Sequence, residues 1–167
     1  RLRHQVSATS DRNGRFSLST PHEGRYSVVT RASGYLQSAP ETADLSGDDP
    51  TAIISIALGR GASIAGRVTE SGSSRGAAEI PVERRVVSGS GSSRSTFDSI
   101  TTDEDGHYTL SGLEPGEYEV TLNLSDAPYE AGKVLPYRRV KVSSPTQKLT
   151  NINFNVEAAG IVWGYVT

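Results

Sequence analysis

The acidic residues around Asp103 are the first candidates for chemistry in this sequence. Asp103 and Asp105 lie two positions apart, and clustered carboxylate oxygens are the ligands that Ca²⁺ prefers. Counted from Asp103, Glu114 even stands at the twelfth position of an EF-hand loop. However, Tyr108 takes the sixth position, where that loop needs glycine. The pattern therefore favours a backbone turn over a calcium site.

Two other patterns of catalytic residue types are weak. The histidines His4, His22 and His107 are far apart, and a zinc site needs three or four converging ligands. The string G-x-S-x-G occurs at Gly72–Gly76, but in a Ser/Gly-rich turn rather than between a strand and a helix. The absence of cysteine excludes thiolate catalysis and disulfides. We therefore predict a protein that is not an enzyme and has no metal or cofactor.

Two groups of residues remain as candidate contacts for a ligand. Tyr129 and Tyr137 lie in a long loop and are candidates for an exposed aromatic contact with a sugar or a protein. Packing of both rings beneath the loop is the alternative. The stretch between Pro40 and Pro50 is interpreted as a solvated acidic loop rather than a site for a cation or basic partner. Its acidic residues are Glu41, Asp44, Asp48 and Asp49.

Bulk composition narrows the class of partner. A net charge of −2 over 167 residues gives no concentrated basic face, so nucleic acid is not an expected ligand. No apolar run reaches the roughly 18 residues that a membrane-spanning helix needs. A hydrophobic content of 35%, with abundant Gly and Ser, is typical of a β-sandwich with many turns.

The elements that would position these side chains are short strands joined by tight turns. Asp105-Gly106 predicts a two-residue type I′ hairpin turn, because glycine readily adopts positive φ and aspartate tolerates it. Beyond the turn, Tyr108 and Leu110 alternate with polar residues, so one face of the strand is expected to be buried. The spacing L-x-P-G-x-Y that ends at Tyr118 predicts a tyrosine corner, in which the hydroxyl bonds back to the backbone.

The same pattern occurs twice in the chain. Residues 10–18 and 24–28 match residues 102–110 and 116–120 at an offset of 92. Residues 54–69 match residues 152–167 at an offset of 98, so the second copy has the longer loop. Internal repetition at this period predicts an array of similar domains.

The repeat sets the predicted domain organisation. We expect the C-terminal part of a first repeat at 1–61, a complete repeat at 62–159 and the first strand of another at 160–167. Strands are predicted in the first copy at Phe16–Leu18, Tyr26–Val28 and Ile53–Leu58, and no helix is predicted. The predicted fold class is all-β, with tandem seven-stranded antiparallel β-sandwiches of transthyretin-like or immunoglobulin-like type and an incomplete first copy.

These motifs resemble a known family. An [AG]-x-[IV]-x-G-x-V opening, a T-D-x-D-G-x-Y-x-L hairpin and an L-x-P-G-x-Y-x-V strand resemble the carboxypeptidase regulatory-like domains, a group of transthyretin-like (prealbumin-like) sandwiches. The resemblance implies an extracellular, non-catalytic module, bacterial or archaeal in source. Related collagen-adhesin B-type modules can carry a Lys–Asn cross-link. Here the corresponding positions hold Arg67 and Tyr165, so that cross-link is not expected.

The leading functional hypothesis is therefore a structural or adhesive repeat that acts as a rigid spacer or fibre unit, with neighbouring repeats or copies of itself as partners. The alternative is a carbohydrate-binding or accessory module of a secreted enzyme such as a peptidase, with a glycan or another surface protein as ligand. Copies are also hypothesised to join by strand addition through the apolar C-terminal segment. The candidate donor residues are Ile161, Val162, Trp163, Tyr165 and Val166.

Overall fold

The structure, a computed structural model, describes residues 5–47, 50–89, 98–125, 127–130 and 136–158. These residues form strands, turns and extended segments with no helix among them, which confirms the all-β fold class. The chain divides into two units. Unit 1 comprises Arg1–Thr30 and Ser38–Ala57, and unit 2 comprises Arg31–Gln37 and Leu58–Thr167.

Unit 1 contains a two-stranded antiparallel sheet. Strand β1 (Gly24–Val28) pairs with β2 (Glu41–Leu45), and Tyr26 lies opposite Ala43. The prediction of a loop throughout the acidic stretch is wrong at β2. The backbone there completes a ladder with β1, and Ala43 and Leu45 alternate as half-buried side chains with exposed neighbours.

Two strands predicted in unit 1 do not form. Phe16–Leu18 and Ile53–Leu58 are extended segments outside any strand, so both predictions are wrong. Phe16 is 38% exposed and Ile53 is 96% exposed. Apolar alternation produces a strand only where a neighbour supplies hydrogen bonds and a buried face. Neither segment pairs in a ladder with other described residues.

Unit 2 contains the other strands of the described residues, arranged in two sheets. One sheet has the order β5-β4-β7-β9, and the other has the order β10-β3-β11-β8 with β6 also paired to β3. The strands are β3 (Ala62–Glu70), β4 (Pro81–Gly89), β5 (Asp98–Thr101), β6 (His107–Leu113), β7 (Gly116–Leu122), β8 (Tyr129–Glu130), β9 (Tyr137–Val142), β10 (Lys148–Leu149) and β11 (Phe154–Ala158). The count of seven strands stays a prediction.

The pairing of β3 departs from the predicted antiparallel pattern. β3 is antiparallel to β6 but parallel to both β10 and β11. The chain leaves β9 in one sheet and enters β10 in the other, so no hairpin fixes the direction of the last strands. β10 meets β3 at Ser63 and Ile64, and β11 meets it at Val68–Glu70.

Both sheets of unit 2 contribute to one hydrophobic core. Tyr108 and Leu110 are buried while His107 and Thr109 are exposed, which confirms the predicted face of β6. Each fully buried large side chain contributes about 1.5–3 kcal/mol. The largest are Phe154, Ile64, Ile80, Leu113, Val68, Val82, Val120, Val142 and Val156.

Candidate interaction surfaces

The Asp103 turn uses its carboxylate to hold the backbone. Oδ1 of Asp103 accepts hydrogen bonds from the backbone N–H groups of Asp105 (3.0 Å) and His107 (2.7 Å). The Gly106 N–H donates to the Asp103 carbonyl at 2.9 Å, and Gly106 has φ of 80°. This arrangement supports the turn interpretation of the acidic cluster. Within the described ranges, no three His, Cys, Asp or Glu side chains are grouped to hold a metal ion.

The predicted type I′ turn at Asp105-Gly106 is wrong. Only Gly106 has positive φ, whereas a type I′ turn also requires it at the preceding residue. The chain instead turns over Asp103–Gly106, with the positive-φ glycine at the last position of the turn. The physical reason is the Asp103 side chain, whose two hydrogen bonds favour this longer loop over the two-residue one.

The same hydrogen bonds occur 92 residues earlier. Oδ1 of Asp11 accepts from the N–H groups of Asn13 (2.8 Å) and Arg15 (2.9 Å), and Gly14 has φ of 77°. The Gly14 N–H donates to the Asp11 carbonyl at 3.0 Å. The local geometry of this turn therefore repeats with the sequence.

The tyrosine corner is confirmed. The Tyr118 hydroxyl donates to the Glu114 carbonyl at 2.7 Å. Burial raises the pKa of Tyr118, so the hydroxyl keeps its proton and stays a donor. In unit 1, the Tyr26 hydroxyl donates to the His22 carbonyl at 2.7 Å, again across four residues.

Gly66 lies where two backbone segments of unit 2 pass close to each other. A Cβ atom at this position would be 1.9 Å from the Ile152 carbonyl oxygen. That oxygen accepts a hydrogen bond from the Tyr108 hydroxyl at 2.5 Å, and the Ile152 N–H donates to the Ala65 carbonyl at 3.1 Å. Burial raises the pKa of Tyr108. The glycine of the G-x-V motif thus allows the segment between β10 and β11 to run close beside β3.

Sequence reasoning missed the buried hydroxyl of Thr102. Thr102 is 4% exposed; its Oγ1 donates to the Ala77 carbonyl at 2.8 Å and accepts from the Ile80 N–H at 2.9 Å. This side chain satisfies backbone groups of the β3–β4 connection, which would otherwise be buried without partners. The T-D-x-D-G motif contained it, but alternation alone gave no reason to bury a threonine.

The G-x-S-x-G string lies in the connection between β3 and β4, as predicted. Arg67, which stands where a cross-linking lysine was sought, holds this connection against the Asp103 turn. Its Nε donates to the Asp105 carbonyl at 2.8 Å and its Nη2 to the Ser74 carbonyl at 3.3 Å. A Cβ atom on Gly76 would be 2.0 Å from the Asp105 carbonyl oxygen. These residues therefore pack two turns together.

The two candidate contact tyrosines lie in different sheets. Tyr129, on β8, is half-buried against the core, and its hydroxyl donates to Glu70 Oε1 at 3.2 Å. Burial, with the nearby Glu70, raises the pKa of Tyr129. Tyr137 begins β9, an edge strand of the other sheet, and is 51% exposed. The structure does not bring the two rings together, and Tyr137 is the more accessible of the pair.

Charged side chains cover the outer face of the β4-β7-β9 sheet. The Glu119 carboxylate contacts Arg85 Nη2 at 2.8 Å and Arg139 Nε at 3.5 Å. The hydrogen bond from Arg85, followed by the charges of both arginines, lowers the pKa of Glu119. Such an exposed ion-pair row contributes little stability, but it discourages other strands from adding to β9.

Part of the predicted acidic stretch, and all of the predicted strand-donor residues, lie outside the described residues. In the acidic stretch, Asp44 contacts Arg25 at 3.5 Å and accepts from Ser46 Oγ at 2.6 Å, whereas Asp48 and Asp49 lie outside the described residues. The strand-donor residues also lie outside the described part of the chain; they are Ile161, Val162, Trp163, Tyr165 and Val166. His4 lies outside it as well. In the part of the chain that is described, there is no helix long and apolar enough to cross a membrane.

The packed sheets, the shared core and the turn-capping side chains define a β-sandwich domain. A family model described as "BOS complex subunit NOMO1-like, second beta sandwich domain" matches residues 60–157, which include every strand of unit 2 except the final residue of β11. The chain belongs to this family. No curated protein is similar enough to the chain to count as a match.

Several solved structures are similar to this chain. A DUF3823 family protein from Parabacteroides merdae is 18% identical, with a TM-score of 0.42, over 58% of this chain and 46% of that one. The group B streptococcus pilus 2b backbone protein is 13% identical, with a TM-score of 0.45, over 74% and 49%. The shaft pilin SpaA of Lactobacillus rhamnosus GG is 11% identical, with a TM-score of 0.44, over 92% and 70%. The chain thus matches less than half the length of the first two proteins.

Proposed function

We propose that this chain is a non-catalytic structural module of a cell-surface or extracellular protein, in which β-sandwich repeats act as spacers that bear tension. The parallel pairing of the first and last strands of unit 2 carries the proposal. β3 pairs with β10 at its beginning and with β11 at its end. We call this pairing of β3 with β10 and β11 the clamp.

The clamp is bonded at both ends of β3 and at two points between them. The Ser63 N–H donates to the Gln147 carbonyl at 2.9 Å, and the Ser71 N–H donates to the Val156 carbonyl at 2.8 Å. Side chains add to it between these ends: Asn153 Oδ1 accepts from the Arg67 N–H at 2.9 Å. Each such bond contributes about 0.5–1.5 kcal/mol net.

The direction of the strands determines how this clamp responds to force. Tension applied before β3 and after β11 pulls two adjacent parallel strands in opposite directions along their length. The hydrogen bonds between them are then loaded together, in shear, instead of one after another as in an opening hairpin. A domain joined to its neighbours through these two strands therefore suits a spacer.

The repeated local geometry supports the finer assignment. The Asp turn and the tyrosine corner recur at the offset of 92. This recurrence supports tandem repeats at 1–61 and 62–159, with the beginning of another at 160–167, of the carboxypeptidase regulatory-like, transthyretin-like kind. Neighbouring repeats or copies of the same protein are the proposed partners, and a bacterial or archaeal cell surface is the proposed location.

The residues that first suggested chemistry have structural roles, which supports a non-catalytic module. Asp103 binds backbone N–H groups of its own turn. The G-x-S-x-G connection binds Arg67 through a backbone carbonyl. Tyr108 and Tyr118 donate to backbone carbonyls from buried positions.

Single-molecule force spectroscopy on the whole chain tests this function. The part of unit 2 from β3 to β11, Ala62–Ala158, should rupture in one event that releases about 97 residues, or roughly 330 Å of extended chain. Gly66→Ala should lower the rupture force, because the added Cβ would collide with Ile152 inside the clamp. Gly72→Ala is the control: its φ of +76° strains the turn after β3, but its Cβ would meet nothing within 4 Å and would not enter the clamp. Equal rupture forces for Gly66→Ala and Gly72→Ala would show that the clamp is not the source of mechanical resistance.

A second candidate function rests on the exposure of Tyr137. An accessible aromatic ring on an edge strand can stack on a sugar, as expected of a carbohydrate-binding accessory module. Binding to a glycan array that is lost in Tyr137→Ala and kept in Tyr129→Phe would favour this alternative over the spacer.

Strand addition through residues 161–166 stays a proposal for how copies join. A chain that ends at residue 159 should lose any polymers formed by the chain of 167 residues. Monomers from both chains at high concentration would contradict it.

A further inference from the structure

A short segment of unit 2 that precedes β3 in the chain is attached to the rest of that unit by backbone pairing. This segment, Arg31–Gln37, is called the strap. Tyr35 forms an antiparallel bridge with Arg60. The Leu36 N–H donates to the Gly59 carbonyl at 2.8 Å, and the Gly61 N–H donates to the Gly34 carbonyl at 3.0 Å. The strap thus pairs with the chain that leads directly into β3.

The strap also contacts the end of β6. The Gly34 N–H donates to Ser111 Oγ at 3.2 Å. Gly112 has φ of +73°, and a Cβ atom there would be 2.6 Å from the Tyr35 carbonyl oxygen. Ser111 and Gly112 together are called the seat. Glycine is needed in the seat both for its backbone conformation and for the close approach of the strap.

Unit 2 contains a second bridge of the same kind. Tyr129 forms an antiparallel pair with Ala158, as Tyr35 does with Arg60. Tyr129 follows Tyr35 by 94 positions and Ala158 follows Arg60 by 98, both within the offsets of the sequence repeat. Arg60 stands two residues before Ala62, where β3 begins, and Ala158 stands two residues before the position that matches Ala62.

We propose that Ala127–Tyr129 and Ala158 form a docking surface for the seat of a following copy of the same β-sandwich. This inference rests on the proposed function, because a spacer of repeats provides that copy. The occupant is specified by the strap itself, which occupies the seat of unit 2 in the equivalent way. The surface therefore fits a Ser-Gly pair at the end of a β6 strand.

One difference between the two surfaces affects the expected affinity. Pro128 stands where the strap has Gly34, and proline has no N–H to donate to the serine of the seat. Docking at Tyr129 would instead rely on the approach of the Tyr129 carbonyl to the seat glycine. We therefore expect docking at Tyr129 to protect backbone amides from hydrogen exchange less than docking of the strap does.

Amide hydrogen exchange on the whole chain tests the seat. Gly112→Ala should raise the exchange rates of the Leu36 and Gly61 amides about tenfold or more, because the added Cβ displaces the strap. Gly72→Ala is the matched control: its φ is +76°, yet its Cβ would meet nothing within 4 Å. If Gly112→Ala leaves these amides as protected as Gly72→Ala does, the seat does not hold the strap and the proposal fails.

A chain extended by one copy tests the new surface. Residues 62–158 are appended in place of 160–167, so that the copy begins where the repeat pattern begins. The Tyr129 and Glu130 amides should exchange about threefold more slowly than in the original chain. The Gly112→Ala change in the appended copy should reverse this, whereas Gly72→Ala there should not. Unchanged exchange of the Tyr129 and Glu130 amides would overturn the proposed docking surface. A retained single-event rupture of unit 2 would still leave the spacer function intact.

Discussion

The Asp103 turn allows a prediction that separates the two aspartates of the hairpin. Asp103 accepts two backbone hydrogen bonds through Oδ1, at 3.0 and 2.7 Å, whereas Asp105 contributes its backbone carbonyl to Arg67. A type I′ turn at Asp105-Gly106 would have made Asp105 the critical residue. The structure makes Asp103 critical instead, so Asp103→Ala should destabilise unit 2 far more than Asp105→Ala.

The magnitude follows from the two lost bonds. Each contributes about 0.5–1.5 kcal/mol net, and because the turn is exposed, water partly replaces the lost acceptor. We therefore expect Asp103→Ala to lower the free energy of unfolding by about 1–2 kcal/mol. For a unit of about 100 residues, this shifts Tm by roughly 5–15 °C. Asp103→Asn keeps an acceptor oxygen and should cost about 0.5 kcal/mol.

Amide exchange of core residues in β3 and β7 is the suitable assay, since it reports the opening of unit 2 without mixing in unit 1. Glu104→Ala, at the exposed tip of the same turn, is the control and should stay within about 0.5 kcal/mol of the original chain. A loss for Asp105→Ala that equals or exceeds the loss for Asp103→Ala would refute the hydrogen-bond account. A rise in Tm on adding Ca²⁺ would restore the metal-site interpretation.

Three further predictions concern tyrosines. Tyr118→Phe should cost about 1 kcal/mol, the corner hydrogen bond alone, and Tyr118→Ala about 3–5 kcal/mol; equal costs in urea unfolding would argue against a buried corner. Burial raises the pKa of Tyr108, so this hydroxyl ionises at lower pH in the unfolded chain than in the folded one. The stability that its protonated form contributes should be fully present below about pH 10 and should fall as pH rises above it. Tyr108→Phe should show a shallower fall, and an unchanged slope would mean that Tyr108 does not contribute. Tyr137→Ala should change the unfolding free energy by less than about 0.5 kcal/mol, and a larger loss would place this ring in the packing.

Local patterns of sequence predicted the parts of the fold that depend on neighbours along the chain. The buried face of β6 follows from strict alternation around Tyr108, and the corner at Tyr118 spans only four residues. The turn type failed although it is local. A side-chain hydrogen bond from Asp103 competes with the backbone preference of Asp105-Gly106, and residue types alone do not decide between them.

Features that depend on distant residues were not predicted. The parallel pairing of β3 with β11 joins residues 86 positions apart, and alternation does not specify direction. Thr102 is buried because its hydroxyl satisfies the Ala77 carbonyl and the Ile80 N–H, which are distant in sequence. β2 pairs with β1 although its sequence is acidic, because the ladder requires only backbone groups and two small or apolar side chains.

Changing the direction of pulling shows whether unit 2 resists tension through shear of the clamp. The chain has no cysteine, so introduced cysteines provide unique attachment points. Pulling between Arg60→Cys and Ala158→Cys loads β3 and β11 in shear. Pulling between Arg60→Cys and Glu114→Cys opens the antiparallel β3–β6 pair from the end where Ala62 lies opposite Leu113.

The first pulling geometry should rupture at a force about threefold or more above that of the second, because bonds loaded together fail together. Both pairs of cysteines leave the hydrogen bonds of the clamp in place, and unfolding in denaturant should be the same for the two proteins. Equal rupture forces in the two directions would contradict the claim that the clamp makes this domain a tension-bearing spacer.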